Sequence, residues 1–97
     1  MHLDDEVCLC FHVTKRKLIN FIRIEEPQRA AQLSECFGAG TGCGWCRNYL
    51  RRLFEASRSG QADTDGEPGA EHYARQRARY VRDGGGVPPP GATPINQ

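Results

Sequence analysis

The sequence lacks any long apolar run, and this excludes several classes of protein. No stretch approaches the roughly 18 apolar residues of a membrane-spanning helix. The segment 1–7 holds three consecutive acidic residues and no apolar core, so it does not resemble a secretory signal. We therefore expect a cytoplasmic protein that has no membrane partner.

The net charge is also small, and hydrophobic residues are few. Thirteen basic and 12 acidic residues leave a net charge of +1, which gives no general attraction to nucleic acid. Hydrophobic residues make up 38% of the 97 positions, too few for a large core, and small domains of this kind usually need a disulfide or a metal. The sequence shows no acid–base pair of a hydrolytic or transfer site, so we do not expect an enzyme.

The cysteines form an informative pattern. Cys8 and Cys10 form a C-x-C pair, and Cys43 and Cys46 form a C-x-x-C pair, with 32 residues between the inner two. The total of five cysteines is odd, and a chain that is not exported keeps its thiols reduced, so a disulfide framework is not indicated. Two pairs of thiolates suit a four-sulfur site for zinc or an iron–sulfur cluster. The cysteine spacing alone leaves both open.

Three features near these pairs carry further expectations: a glycine-rich run, Cys36 and Trp45. Glycines at alternate positions from Gly38 to Gly44 let the backbone approach a sulfur-rich site closely. Cys36 lies outside both pairs, and we expect a small buried residue; the alternative is a reserve ligand or a reactive thiol. Trp45 is expected either to pack over the first helix or to anchor a partner.

Hydrophobic periodicity predicts three short helices, at about 15–23, 27–36 and 46–56. Thr14 fits the N-cap of the first helix, and Pro27 fits the first turn of the second. The predicted core consists of Leu18, Ile22, Leu33, Leu50, Leu53 and Phe54. The expected fold class is therefore all-α, a small helical domain with metal-binding loops.

The composition changes after residue 57 and divides the chain. Residues 1–57 are expected to form the metal-binding domain. Residues 58–97 are rich in Gly, Ser, Asp and Pro, which predicts a linker and a largely disordered, low-complexity tail that is dispensable for the metal site. A possible short helix at 71–82 has only a thin apolar face.

A family resemblance chooses between the two kinds of metal site. The segment Val7-Cys8-Leu9-Cys10, the dipeptide Val13-Thr14 and the run from Gly38 to Cys46 closely resemble the 2Fe–2S domain of bacterioferritin-associated ferredoxins (BFD-like). The same domain occurs inside assimilatory nitrite reductases and nitrogen-fixation scaffold proteins. The resemblance covers about residues 7–56 and implies a compact helical fold with the cluster held near the surface between loops.

The resemblance also implies a function and its partners. It implies a 2Fe–2S cluster whose ligands are Cys8, Cys10, Cys43 and Cys46, in a ferredoxin-like carrier of single electrons. A ferredoxin reductase would be the electron donor, and bacterioferritin or another redox protein would receive the electron. The alternatives are a module that senses iron or redox state or assists cluster assembly, and a structural zinc module for protein interaction.

Overall fold

The computed structural model describes residues 2–59 and 69–94; most of the predicted linker, at 60–68, lies outside the described residues. The described part contains two short strands, three α-helices and one 3₁₀ helix. These are β1 (Glu6–Cys8), β2 (Val13–Thr14), α1 (Lys15–Glu25), the 3₁₀ helix (Ala30–Glu35), α2 (Arg47–Ser59) and α3 (Ala70–Arg82). Among the described helices, none has the length and apolar character needed to cross a membrane.

A small β-hairpin at the N-terminus corrects the expectation of an all-α fold. Strands β1 and β2 pair antiparallel, with Glu6 opposite Thr14, Cys8 opposite Val13 and an irregularity between Glu6 and Cys8. The turn between the strands places His12 in the left-handed region, at a φ of 58°. Strands of three and two residues are too short for a period of two to be visible in the sequence.

Helix α1 begins where the sequence predicts and ends two residues later. Thr14 is confirmed as its N-cap, because the side-chain hydroxyl accepts a hydrogen bond from the Lys17 backbone N–H at 3.2 Å. The helix ends at Glu25, and Glu26 follows in the left-handed conformation with a φ of 47°. Leu18 is completely buried on its inner face.

The predicted second helix, at 27–36, is wrong in type and in length. The structure has only the 3₁₀ helix, Ala30–Glu35. The Gln32 side chain accepts hydrogen bonds from the backbone N–H groups of the two residues before this helix, at 2.6 and 2.9 Å. Downstream, Phe37 and Gly38 adopt positive φ values of 55° and 81°. The segment between these two features is too short for a full α-helix, and 3₁₀ geometry is common in such short pieces.

The hydrophobic core joins α1, the 3₁₀ helix and α2. Five of the six predicted core residues are less than 10% exposed: Leu18, Leu33, Leu50, Leu53 and Phe54. Ile22 is half-buried at the edge of this core. The helical periodicity of the sequence therefore predicted the buried faces well, even where it predicted the wrong kind of helix.

The C-terminal part of the chain differs most from the expected disordered tail. The possible helix at 71–82 is confirmed as α3. The segment 83–94 has neither helix nor strand, yet it is held against the N-terminal hairpin. The Thr93 backbone N–H donates to the Leu9 carbonyl at 2.8 Å, and His12 Nε2 donates to the Gly91 carbonyl at 2.7 Å.

Candidate metal centre

The fold brings the four predicted ligands together. Cys8 and Cys10 come from the end of β1 and the turn after it, and Cys43 and Cys46 come from the loop before α2. All four side chains line one small cavity, called here the cysteine cavity. Each of the four residues is at most 6% exposed. Two segments that are distant in sequence thus meet around a single buried, sulfur-lined space.

Within the cysteine cavity the thiols interact in pairs. The Cys43 backbone N–H donates to Cys10 Sγ, and Cys46 is the main influence on the pKa of Cys8, so each pair takes one cysteine from each segment. The hydrogen bond from Cys46 lowers the pKa of Cys8 to about 5. The same hydrogen bond, together with burial, raises the pKa of Cys46, and burial is the main cause that raises the pKa of Cys10. Cys8 is thus the thiol of this pair that ionises first, and Cys46 holds its proton.

Backbone N–H groups point at two of the sulfurs. The Phe11 N–H donates to Cys8 Sγ at 3.4 Å, and the Cys43 N–H donates to Cys10 Sγ at 3.3 Å. Such donors offset the negative charge of thiolates bound to a metal. The close approach depends on Gly42, where a Cβ atom would lie 2.6 Å from Cys10 Cβ.

Arg77 is a residue of the site that the sequence reasoning missed. It lies on α3, is 2% exposed and lines the cysteine cavity. Its Nη2 donates to Cys10 Sγ at 3.7 Å. Burial acts to lower the pKa of Arg77, but hydrogen bonds to Cys43 and Cys10 more than compensate and raise it. The available signal was its position four residues after Tyr73 and three before Tyr80, which places it on the same helical face.

The donor set fits a sulfur-ligated, negatively charged group. It offers four cysteine sulfurs, two backbone donors and a guanidinium. Arg77 Nε is buried and has no hydrogen-bond partner among the described residues, so it remains available as a further donor. No group of three or more His, Cys, Asp or Glu in residues 2–59 and 69–94 is spaced to hold one metal ion; the sulfur contacts are pairwise.

Cys36 does not line the cysteine cavity. It is 4% exposed, its Sγ contacts the Lys17 carbonyl at 3.8 Å, and burial raises its pKa. A buried thiol with a raised pKa is chemically inert. The structure therefore supports the interpretation of Cys36 as a small core residue.

Trp45 forms contacts that the sequence did not suggest. It is half-buried, and its ring lies 5.8 Å from Tyr73 and 5.4 Å from Tyr80, measured between ring centroids. Both tyrosines belong to α3. The tryptophan between two predicted ligands thus forms an aromatic contact with the C-terminal helix.

Comparison with known proteins adds the chemical identity of the site. A family model described as the BFD-like [2Fe-2S] binding domain matches residues 6–56. A nitrite reductase [NAD(P)H] from Neurospora crassa is 35% identical over 51 residues, which cover 53% of this chain and 4% of that enzyme. A second, from Emericella nidulans, is 33% identical over 54 residues, covering 54% of this chain and 5% of the enzyme. The chain thus spans only a small part of these relatives, and no solved structure gives a significant match.

Proposed function

The chain belongs to the BFD-like [2Fe-2S] binding domain family, and from this premise we propose that it is a one-electron carrier. We further propose that Cys8, Cys10, Cys43 and Cys46 hold its 2Fe–2S cluster. When bound, such a cluster accepts and releases a single electron. The observation that carries the proposal is the meeting of all four cysteine side chains around one cavity, in two close pairs.

The surroundings of the four sulfurs suit a carrier. The N–H groups of Phe11 and Cys43 donate to sulfur and are fixed by the backbone, so they need not reorganise when the charge of the site changes. The burial of the four cysteines excludes water from the sulfurs. A fixed, dry set of donors keeps the two oxidation states similar in structure, as rapid electron exchange requires.

The proposed donor is a ferredoxin reductase, and the proposed recipient is bacterioferritin, whose stored ferric iron would leave as ferrous iron. The support is the likeness of the cysteine segments to those of bacterioferritin-associated ferredoxins. A second candidate recipient is a nitrite-reducing enzyme. It is favoured by the two nitrite reductases, each of which matches about half of the chain.

Anaerobic purification tests the cluster itself. We expect about two iron and about two sulfide per chain, with visible absorption that one electron equivalent bleaches reversibly. A colourless protein containing about one zinc per chain would instead identify a structural zinc module. Metal analysis and a dithionite titration of the full chain distinguish the two results.

The partner is tested with the reduced protein. Iron-loaded bacterioferritin and a ferrous chelator should give chelated iron at a rate that rises with the amount of reduced protein, if bacterioferritin is the recipient. Oxidation of the reduced protein by a nitrite-reducing enzyme, without release of iron from bacterioferritin, would favour the second candidate. A protein that transfers its electron to neither would point to sensing or cluster assembly. The Cys43→Ser variant is the negative control in both assays.

A further inference from the structure

The part of the chain that follows the family domain is attached to the metal site. The family match ends at residue 56, but residues 70–94, called here the C-terminal cover, contact both cysteine segments. The Tyr73 hydroxyl donates to the Val7 carbonyl at 2.7 Å. The Tyr80 hydroxyl donates to the Cys43 carbonyl, also at 2.7 Å. One helix thus bonds to the backbone of both halves of the site.

The segment after α3 extends the same attachment. The Thr93 N–H donates to the carbonyl of Leu9, the residue between the first two predicted ligands. Gly86 lies so close to the Cys43 backbone that a Cβ there would collide with the Cys43 carbonyl oxygen and lie 2.8 Å from its carbon. Contacts of this kind, to backbone atoms of the cysteine segments, fix the C-terminal cover in one position.

Arg77 is the charged group that the C-terminal cover brings to the sulfurs. Burying a guanidinium is costly unless it is paired. Its Nη1 donates to the Thr93 carbonyl at 2.8 Å and its Nη2 to Cys10 Sγ at 3.7 Å. In the part of the chain that the structure describes, no carboxylate forms an ion pair with it. The Cys10 sulfur, at 3.7 Å, is the acceptor that Arg77 reaches within the cysteine cavity.

We propose that Arg77, which lies outside the family domain, raises the reduction potential of the cluster through its positive charge. The proposal rests on the proposed function, since it concerns the cluster that the four cysteines would hold. Thiolate ligands give the site negative charge, and reduction adds one more. A fixed positive charge a few ångströms away in a low-dielectric setting stabilises the reduced form more than the oxidised form.

The experiment compares midpoint potentials of full-length, cluster-loaded variants. Arg77→Met keeps an apolar stem but removes the charge, and Arg77→Lys keeps the charge with fewer donors. At a fixed solution potential, we expect the ratio of reduced to oxidised protein to fall about tenfold or more in Arg77→Met. The lysine variant should recover part of this loss. Arg75→Met is the matched control, because Arg75 lies on the same helix with a side chain that is 69% exposed.

A second variant tests the contact between the C-terminal cover and the Cys43 backbone. Gly86→Ala should push the segment off the Cys43 backbone, so a chelator should remove iron faster and the amides of α3 should exchange with deuterium faster. Gly69→Ala is its control, because a Cβ at Gly69 meets no atom within 4 Å. The exchange measurement can also be made on metal-free protein and does not depend on electron transfer.

The possible outcomes distinguish a failure of the proposed function from a failure of the role of Arg77. If the wild-type chain binds no cluster, the proposed function is wrong and this inference falls with it. If the wild type binds a cluster but Arg77→Met has the same potential, only the role of Arg77 is wrong. If Arg77→Met cannot hold a cluster, Arg77→Lys decides. A lysine variant that retains the cluster, with a potential nearer to wild type than to Arg77→Met, supports a role for the charge. Loss of the cluster in the lysine variant would overturn that role. If iron release and amide exchange are unchanged in Gly86→Ala, the C-terminal cover is not fixed by its contact with the Cys43 backbone.

Discussion

Replacing Cys43 with serine is expected to abolish the iron content and visible colour of the purified protein, whereas Cys36→Ser will leave both unchanged. Cys43 lines the cysteine cavity and hydrogen-bonds to Cys10, so serine there would offer a hard hydroxyl to a site built for soft sulfur. Cys36 is equally buried but lies outside the cavity. The two variants are therefore matched in burial and in chemistry and differ in position alone.

Iron and sulfide per chain, measured after anaerobic purification, check this expectation. Serine at Cys8, Cys10 or Cys46 should act like serine at Cys43. Far-UV circular dichroism of each variant shows whether a loss of iron accompanies unfolding. Retention of iron in Cys43→Ser together with its loss in Cys36→Ser would reverse the assignment of the ligands.

The elements that the sequence predicts well are those whose signal is local. Thr14 caps α1 through its own hydroxyl, and Leu18, Leu50 and Leu53 lie on buried faces because their spacing follows the turn of a helix. A cap and a spacing involve residues within one or two turns of each other. Both can therefore be recognised without knowing what the helix packs against.

The hairpin and the 3₁₀ helix depend on interactions that the sequence does not display. Strand β2 has two residues, and its partner β1 lies across a turn. The Gln32 side chain accepts the backbone N–H groups of Gln28 and Arg29, just before the 3₁₀ helix, and the hydrophobic pattern gives no sign of this contact. The conformation of such short elements depends on single contacts. A single contact leaves no periodic pattern in the sequence, so it cannot be predicted from hydrophobic periodicity.

Helix α3 shows a different limit of hydrophobic periodicity. Its buried face holds Tyr73, Arg77 and Ala78, so a search for apolar residues finds only a thin stripe. The face is attached through hydroxyl and guanidinium donors to carbonyls and a sulfur. A backbone carbonyl has the same chemistry at every residue, so the sequence cannot show which one a tyrosine will reach.

The cofactor could be predicted only through the family. The four cysteines, their pairing and their backbone donors describe a sulfur site for a metal, and zinc ribbons also use two cysteine pairs. The match of residues 6–56 to a [2Fe-2S] binding domain supplies the choice. The surroundings of the site, with Arg77 on one side, belong to this chain's own extension beyond that domain.

Gly42→Ala is expected to weaken cluster binding strongly through a single methyl group. A Cβ at this position would lie 2.6 Å from Cys10 Cβ, 2.7 Å from Cys10 Sγ and 3.2 Å from Pro89 Cδ. Its φ is not in the left-handed region, so the backbone itself accepts alanine and the effect is steric. Either the Cys10 sulfur or the loop that carries Cys43 must move. Overpacking of this kind costs about 1–3 kcal/mol, which corresponds to roughly 5- to 150-fold in affinity.

The matched control is Gly69→Ala, since a methyl group there meets nothing within 4 Å. Iron retained during dialysis against a chelator measures the effect, and circular dichroism at low temperature shows whether the helices survive. Loss of iron in Gly42→Ala with helices intact means that the methyl group acts on the cysteine geometry and not on the helical core. Equal iron retention in the two alanine variants would show that the two cysteine segments do not need the close approach seen at Gly42.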